Sequence, residues 1–126
     1  MFVTHLECSL TGERYDANRP QGLSKAGKPL LVRYDLAAAG NKLSKEDIAS
    51  RAPDMWKWRE LLPLPEGVVP VSLGEPTTPI IPLERVARTA GAAELLVKDE
   101  GRLPTGSFKA RGLAMAVSMA RHFGVE

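Results

Sequence analysis

Leu103-Pro104-Thr105-Gly106-Ser107-Phe108-Lys109-Ala110-Arg111-Gly112 runs straight into Leu-Ala-Met-Ala-Val-Ser-Met-Ala-Arg-His-Phe, residues 113–123, and then meets Gly124. The second part is apolar and strongly helix-forming, and the glycine marks its end. Pro104, Thr105, Gly106 and Ser107 supply a turn and a capping side chain, so a helix over 107–123 is expected with Lys109 in its first turn. A cation there faces the positive end of the helix macrodipole. If the site is also desolvated, with Arg111 close by, the neutral amine is favoured, the form in which lysine acts as nucleophile or general base. The plainer alternative is an exposed lysine whose stem lies over the helix start.

Upstream, Glu94-Leu95-Leu96-Val97-Lys98 reads as a strand, followed by the acidic pair Asp99-Glu100. A strand leading into a helix with so little polar face is the first half of a β-α-β unit, whose helix must be covered by a sheet. The returning strand is missing, so the expectation is the N-terminal piece of a longer α/β enzyme, its sheet left incomplete, with a self-contained domain of this size as the alternative. A phosphate-binding loop is excluded: Gly101 and Gly106 have the spacing, but Ser107 stands where its lysine should be.

The chain's 126 residues have room for one domain, a quarter of them are charged, and the net charge of +2 is too small and too scattered to argue for nucleic acid. One cysteine, Cys8, excludes an internal disulfide and suits a reducing compartment. No apolar run approaches the roughly 20 residues a membrane helix needs, and the first residues lack a secretory layout. A cytoplasmic protein is expected.

Phe2 to Cys8 and Pro29 to Tyr34 read as strands of a small β-hairpin unit with a long polar connection. Ser44-Lys45-Glu46-Asp47 resembles a capping box opening a short helix, and another helix runs from Pro53 through Met55–Leu62 to Pro63. Val68 to Leu73 is a strand candidate, and Leu83 to Ala90 a short helix closed by Gly91.

Thr-Gly-Ser-Phe-Lys-x-Arg-Gly over 105–112 closely resembles the lysine motif of the fold-type-II pyridoxal-phosphate enzymes, which include threonine synthases, threonine dehydratases and cysteine synthases. Met55-Trp56-Lys57-Trp58-Arg59-Glu60-Leu61-Leu62-Pro63 and Leu73-Gly74-Glu75-Pro76-Thr77-Thr78-Pro79 resemble two further segments of threonine synthases. Without that resemblance the tryptophan pair reads as packing. Residues 1–35 are similar to a zinc-ribbon-like start found in some of these enzymes. Cys8 and Gly12 match its first half, Gly27 and Leu30 to Tyr34 its tail, and Thr11, Leu23 and Ala26 occupy the other cysteine positions. One cysteine cannot hold zinc, and His5, three residues away on a strand, faces the other way, so no metal is expected.

The resemblance implies a tryptophan-synthase-beta-like, three-layer αβα fold. Residues 1–35 would be a ribbon-like unit lacking most metal ligands, and 36–126 the start of the catalytic domain. It implies pyridoxal 5'-phosphate as cofactor, Lys109 as the catalytic residue that binds it, and conversion of O-phospho-L-homoserine and water to L-threonine and phosphate. Full-length relatives are usually homodimers, and the residues that cradle the cofactor elsewhere lie beyond position 126, so the isolated chain is expected to be inactive. Another fold-type-II enzyme, such as an ammonia-lyase, a dehydratase or a β-replacement enzyme, stays open, as does a non-catalytic assembly fragment. Arg111 either helps depress the lysine pKa or pairs with Asp99 or Glu100. Ser107 is read as the helix cap.

Overall fold

The computed structural model describes residues 1–125. Its first unit is a three-stranded antiparallel sheet in the order β2-β1-β3, with β1 at Val3–Cys8, β2 at Arg14–Tyr15 and β3 at Leu30–Tyr34. The two long strands fall where alternation places them. The two-residue strand β2 was not legible as a strand, because so short a segment carries no period; it is defined by pairing Leu6 with Tyr15 and Glu7 with Arg14.

Asp35 accepts the Ala38 N–H and opens helix α1, Leu36–Lys42, which sequence reading missed. Ser44 accepts the Asp47 N–H and opens α2, Lys45–Ser50, as the capping-box reading predicts. The tryptophan-bearing segment is a 3₁₀ helix, Met55–Leu61, broken at Trp58. Its start is set by Asp54, which accepts the Trp56 N–H, and not by Pro53.

Strand β4, Ile80–Pro82, pairs antiparallel with β5, Leu96–Lys98, and between them α3, Glu84–Ala90, ends at Gly91. A one-turn 3₁₀ helix, Glu100–Arg102, leads toward α4, Lys109–His122. The described residues thus form a mixed α/β chain whose strands make two separate antiparallel sheets.

Val68 to Leu73 is not a strand. It pairs with no neighbouring strand, and side chains take several of its polar groups: Arg59 donates to the Val68 carbonyl, Arg121 donates to the Val69 carbonyl, and the Val71 N–H donates to Ser118 Oγ at 2.8 Å. Ser118 Oγ in turn donates to the Ala114 carbonyl at 2.6 Å, and the serine is fully buried. Helix α4 therefore packs its small residues, Ala110, Ala114 and Ser118, against the rest of the chain. Leu113 and Val117 remain 56% and 49% exposed.

Candidate functional site

The start of α4 is built by local chemistry. The Gly106 N–H donates to the Leu103 carbonyl at 2.7 Å, and Gly106 sits at φ +66°, a conformation that a β-carbon disfavours. Phe108 is already helical and offers no capping side chain, whereas Ser107 Oγ accepts the Lys109 N–H at 3.3 Å. Lys109 is the first residue of the regular helix. At the far end the Val125 N–H donates to the Ala120 carbonyl and the Gly124 N–H to that of Arg121, with Gly124 at φ +68°. This is the paired closure that glycine permits at a helix C-terminus.

Lys109 is exposed, and among the described residues its amine makes no hydrogen bond or ion pair. The desolvation that would make it a neutral nucleophile is not supplied by these residues. It stands at the head of the helix face that also carries Leu113 and Val117, at spacings of four residues. The amine thus borders two apolar side chains open to solvent, about 100° round the helix from the face that packs inward.

Arg111 does not lie against Lys109. Its Nε donates to Glu100 Oε2 at 2.7 Å, and its Nη2 donates to Glu100 Oε1 at 3.1 Å and to the Pro76 carbonyl at 3.0 Å. Of the two partners open to it in the sequence, Glu100 is chosen, because Asp99 is bound by Arg102 at 2.9 Å. The Thr78 hydroxyl, buried, also donates to Glu100, and Lys98 Nζ donates to the Thr78 carbonyl at 3.2 Å. The Arg111 guanidinium, with help from the Thr78 hydroxyl, pulls the Glu100 carboxyl down to about 2.

Glu75 is 1% exposed. Burial pushes its pKa up, but bonds from the Ser72 hydroxyl and from the Leu73 N–H at 3.0 Å, with the charge of Arg111, hold it below the ordinary carboxylate range. Neither Thr78 nor Glu75 was picked out by sequence reading as a buried polar group. The three-residue spacing from Ser72 to Glu75 was the available signal. A cleft of about 520 Å³, lined by Met55, Trp58, Lys98, Arg111, Gly112 and Met115, opens on a different face of α4 from Lys109. Trp58 is half-exposed on its rim, and the buried Trp56 ring N–H has no partner among the described residues.

In the first sheet, the Cys8 thiol donates to Ser24 Oγ at 3.1 Å, and the Thr11 N–H donates to Cys8 Sγ at 3.4 Å. The same Ser24 hydroxyl turned toward the sulfur, together with Thr11, brings the thiol down to about 7. The side chain that faces Cys8 is therefore Ser24. Leu23, placed at a cysteine position by the ribbon resemblance, is exposed. Among the described residues no three His, Cys, Asp or Glu side chains gather as a metal site, and no helix is long and apolar enough to cross a membrane.

Residues 71–124, from the Val71 contact to the end of α4, match the sequence model of the family described as pyridoxal-phosphate dependent enzyme. This part of the chain is similar to that class, whose cofactor is pyridoxal phosphate. Within it, the curated relatives are threonine synthases. Those of Methanocaldococcus jannaschii and Methanosarcina acetivorans are each 35% identical, over 94% and 96% of this chain. A third, from Halalkalibacterium halodurans, is 46% identical over 54% of this chain and 19% of its own length. The chain spans 29% of the length of the first two. No solved structure matches significantly.

Proposed function

We propose that this chain supplies the lysine arm of a threonine synthase, in which O-phospho-L-homoserine and water become L-threonine and phosphate. The observation that carries the reading is Lys109: an amine without a partner among the described residues, on the first residue of α4, inside the segment that matches the pyridoxal-phosphate family. Such an amine fits an aldehyde cofactor, since no carboxylate must be displaced from it first.

Pyridoxal phosphate, when bound, supplies the electron sink for the carbanion chemistry. Lys109 Nζ is the group that would hold it, and as a free amine would take up and return protons as general base and acid. Ser107 Oγ accepts the Lys109 N–H at the helix start. The exposed Leu113 and Val117 stripe beside Lys109 is where a covering layer of a three-layer fold-type-II domain would exclude water from the amine.

Residues 1–35 are read as a ribbon-like unit without metal, and 36–126 as the opening of the catalytic domain. The whole protein is read as a cytoplasmic homodimer. The isolated chain is read as inactive, because the groups that cradle the cofactor in relatives lie outside this segment.

The test is pyridoxal-phosphate titration of the chain, borohydride trapping and peptide mapping, repeated on Lys109→Ala. Lys109 is expected to take the largest share of the label among the seven lysines, at well under one equivalent and without turnover. Label spread evenly over the lysines would overturn the role of Lys109. A full equivalent, lost in the variant, would overturn the inactivity of the isolated chain.

A further inference from the structure

The helix start that carries Lys109 is weak by its own chemistry. Phe108 gives no capping bond, the Ser107 bond to the Lys109 N–H is 3.3 Å long, and Gly112 stands in the first turn, where glycine costs about 1 kcal/mol relative to alanine. The preceding residues Pro104 to Gly106 and Phe108 are exposed. Yet this turn must hold the amine in one place for the proposed chemistry.

A rigid frame reaches the turn from the other side. Arg111 lies two residues after Lys109, about 200° round the helix. Its planar guanidinium spans both oxygens of Glu100 and the Pro76 carbonyl, at 2.7, 3.1 and 3.0 Å. A fork of fixed donors loses little freedom on making these bonds, which a lysine at the same place would not match. Glu100 is held in turn by the 3₁₀ helix that follows β5 and by the Thr78 hydroxyl. Thr78 lies two residues before the start of β4 and receives Lys98 Nζ on its carbonyl. The β4–β5 pair is thus tied through Thr78, Glu100 and Arg111 to the first turn of α4.

We propose that Thr78, Glu100 and Arg111 are positioning residues that hold the first turn of α4 against the β4–β5 pair and so set the place of the Lys109 amine. The proposal rests on the reading of Lys109 as the cofactor lysine. Arg111 grips the frame, Lys109 lies about 200° round the helix from it, and the buried Ala110 between them joins the two in one helical turn.

The experiment compares Arg111→Met, Arg111→Lys and Glu100→Gln with the parent chain, using Leu64→Ala as a control destabilised elsewhere. Temperature is chosen so that each is equally far below its thermal midpoint. Amide hydrogen exchange at Lys109–Leu113 is expected to rise roughly tenfold in Arg111→Met, while residues 119–123 and β1 stay within about twofold. Arg111→Lys should restore little of this protection, since one ammonium cannot span the three acceptors. Leu64→Ala should leave the ratio between the two ends of α4 unchanged.

The share of trapped pyridoxal phosphate on Lys109, relative to the other lysines, should fall roughly fivefold in Arg111→Met and remain at the parent value in the control. Exchange rising equally at both ends of α4, or full rescue by Arg111→Lys, would overturn the positioning role. If Lys109 takes no preferential label in the parent chain, the reading of Lys109 fails by itself, and the exchange ratio still decides whether the clamp holds the turn.

Discussion

The sheet Val3–Tyr34 and the segment from β4 to α4 solve the same problem in opposite ways. In the first, short strands are closed by their own polar groups. Glu7 pairs with Arg33, Glu13 with Lys25, and the thiol of Cys8 with the hydroxyl of Ser24. The second buries alanines and a serine on α4 and turns Leu113 and Val117, with Ile80 and Leu96 of its strands, toward solvent. Exposed leucines occur in the first unit too, Leu10 and Leu23 in its loops and Leu31 on β3, but singly and not a helical turn apart. A contiguous apolar stripe along a helix is a surface made to be covered. The first unit exposes its leucines one at a time, whereas α4 exposes Leu113 and Val117 one turn apart.

Substitutions on the two faces of α4 should differ sharply. Ser118→Ala removes the acceptor of the Val71 N–H in a fully buried position. It is expected to cost about 1–3 kcal/mol, read as a lower midpoint in urea at constant slope. An effect under about 0.3 kcal/mol would mean that Val71 finds another partner and that the inner face is not tightly built.

Acid should act next, and through a named group. Glu100 is lowered from the ordinary range to about 2 in the folded chain. A carboxyl with a depressed folded pKa contributes stability above its unfolded pKa, near 4.5, and loses it as pH falls toward 2. Glu7 and Glu13 are lowered as well, by Arg33 and Lys25, so both regions weaken in that window. In Glu100→Gln the acid-induced loss of amide protection at the start of α4 should be smaller than in the parent, with the first sheet unchanged. An identical acid profile at both places would remove Glu100 from the account.

The smallest effect should come from the outer face. Leu113→Glu places a charge where the leucine is 56% exposed, and stability should move by no more than about 0.5 kcal/mol in thermal unfolding. A loss several times larger would show that the stripe is already covered in solution, and sedimentation at several concentrations would then show by what.

Much of the local structure was legible. Ser44, Gly91 and Gly124 act as the stops and starts their chemistry predicts, and α4 occupies nearly the span expected of it. Asp35 was overlooked although it caps α1 by the same rule. Val68–Leu73 has the composition of a strand and lacks only a neighbour, since strand identity depends on what lies beside the chain. Lys109 was legible as a residue of interest, but its surroundings were not. Whether a helical side chain is buried depends on which face meets a partner, and α4 presents its alanines inward.

The amino-acid sequence by itself determined where helices begin and end, which residue heads α4, and the likeness to the pyridoxal-phosphate enzymes, because capping, turn chemistry and motifs act over a few residues. Only the tertiary structure decided that Arg111 takes Glu100 and leaves Asp99 to Arg102, that Ser24 meets Cys8, that Glu75 is buried, and that Lys109 is exposed beside Leu113 and Val117. Those outcomes depend on contacts between segments far apart in the chain, where competing partners of the same chemistry are sorted by geometry alone.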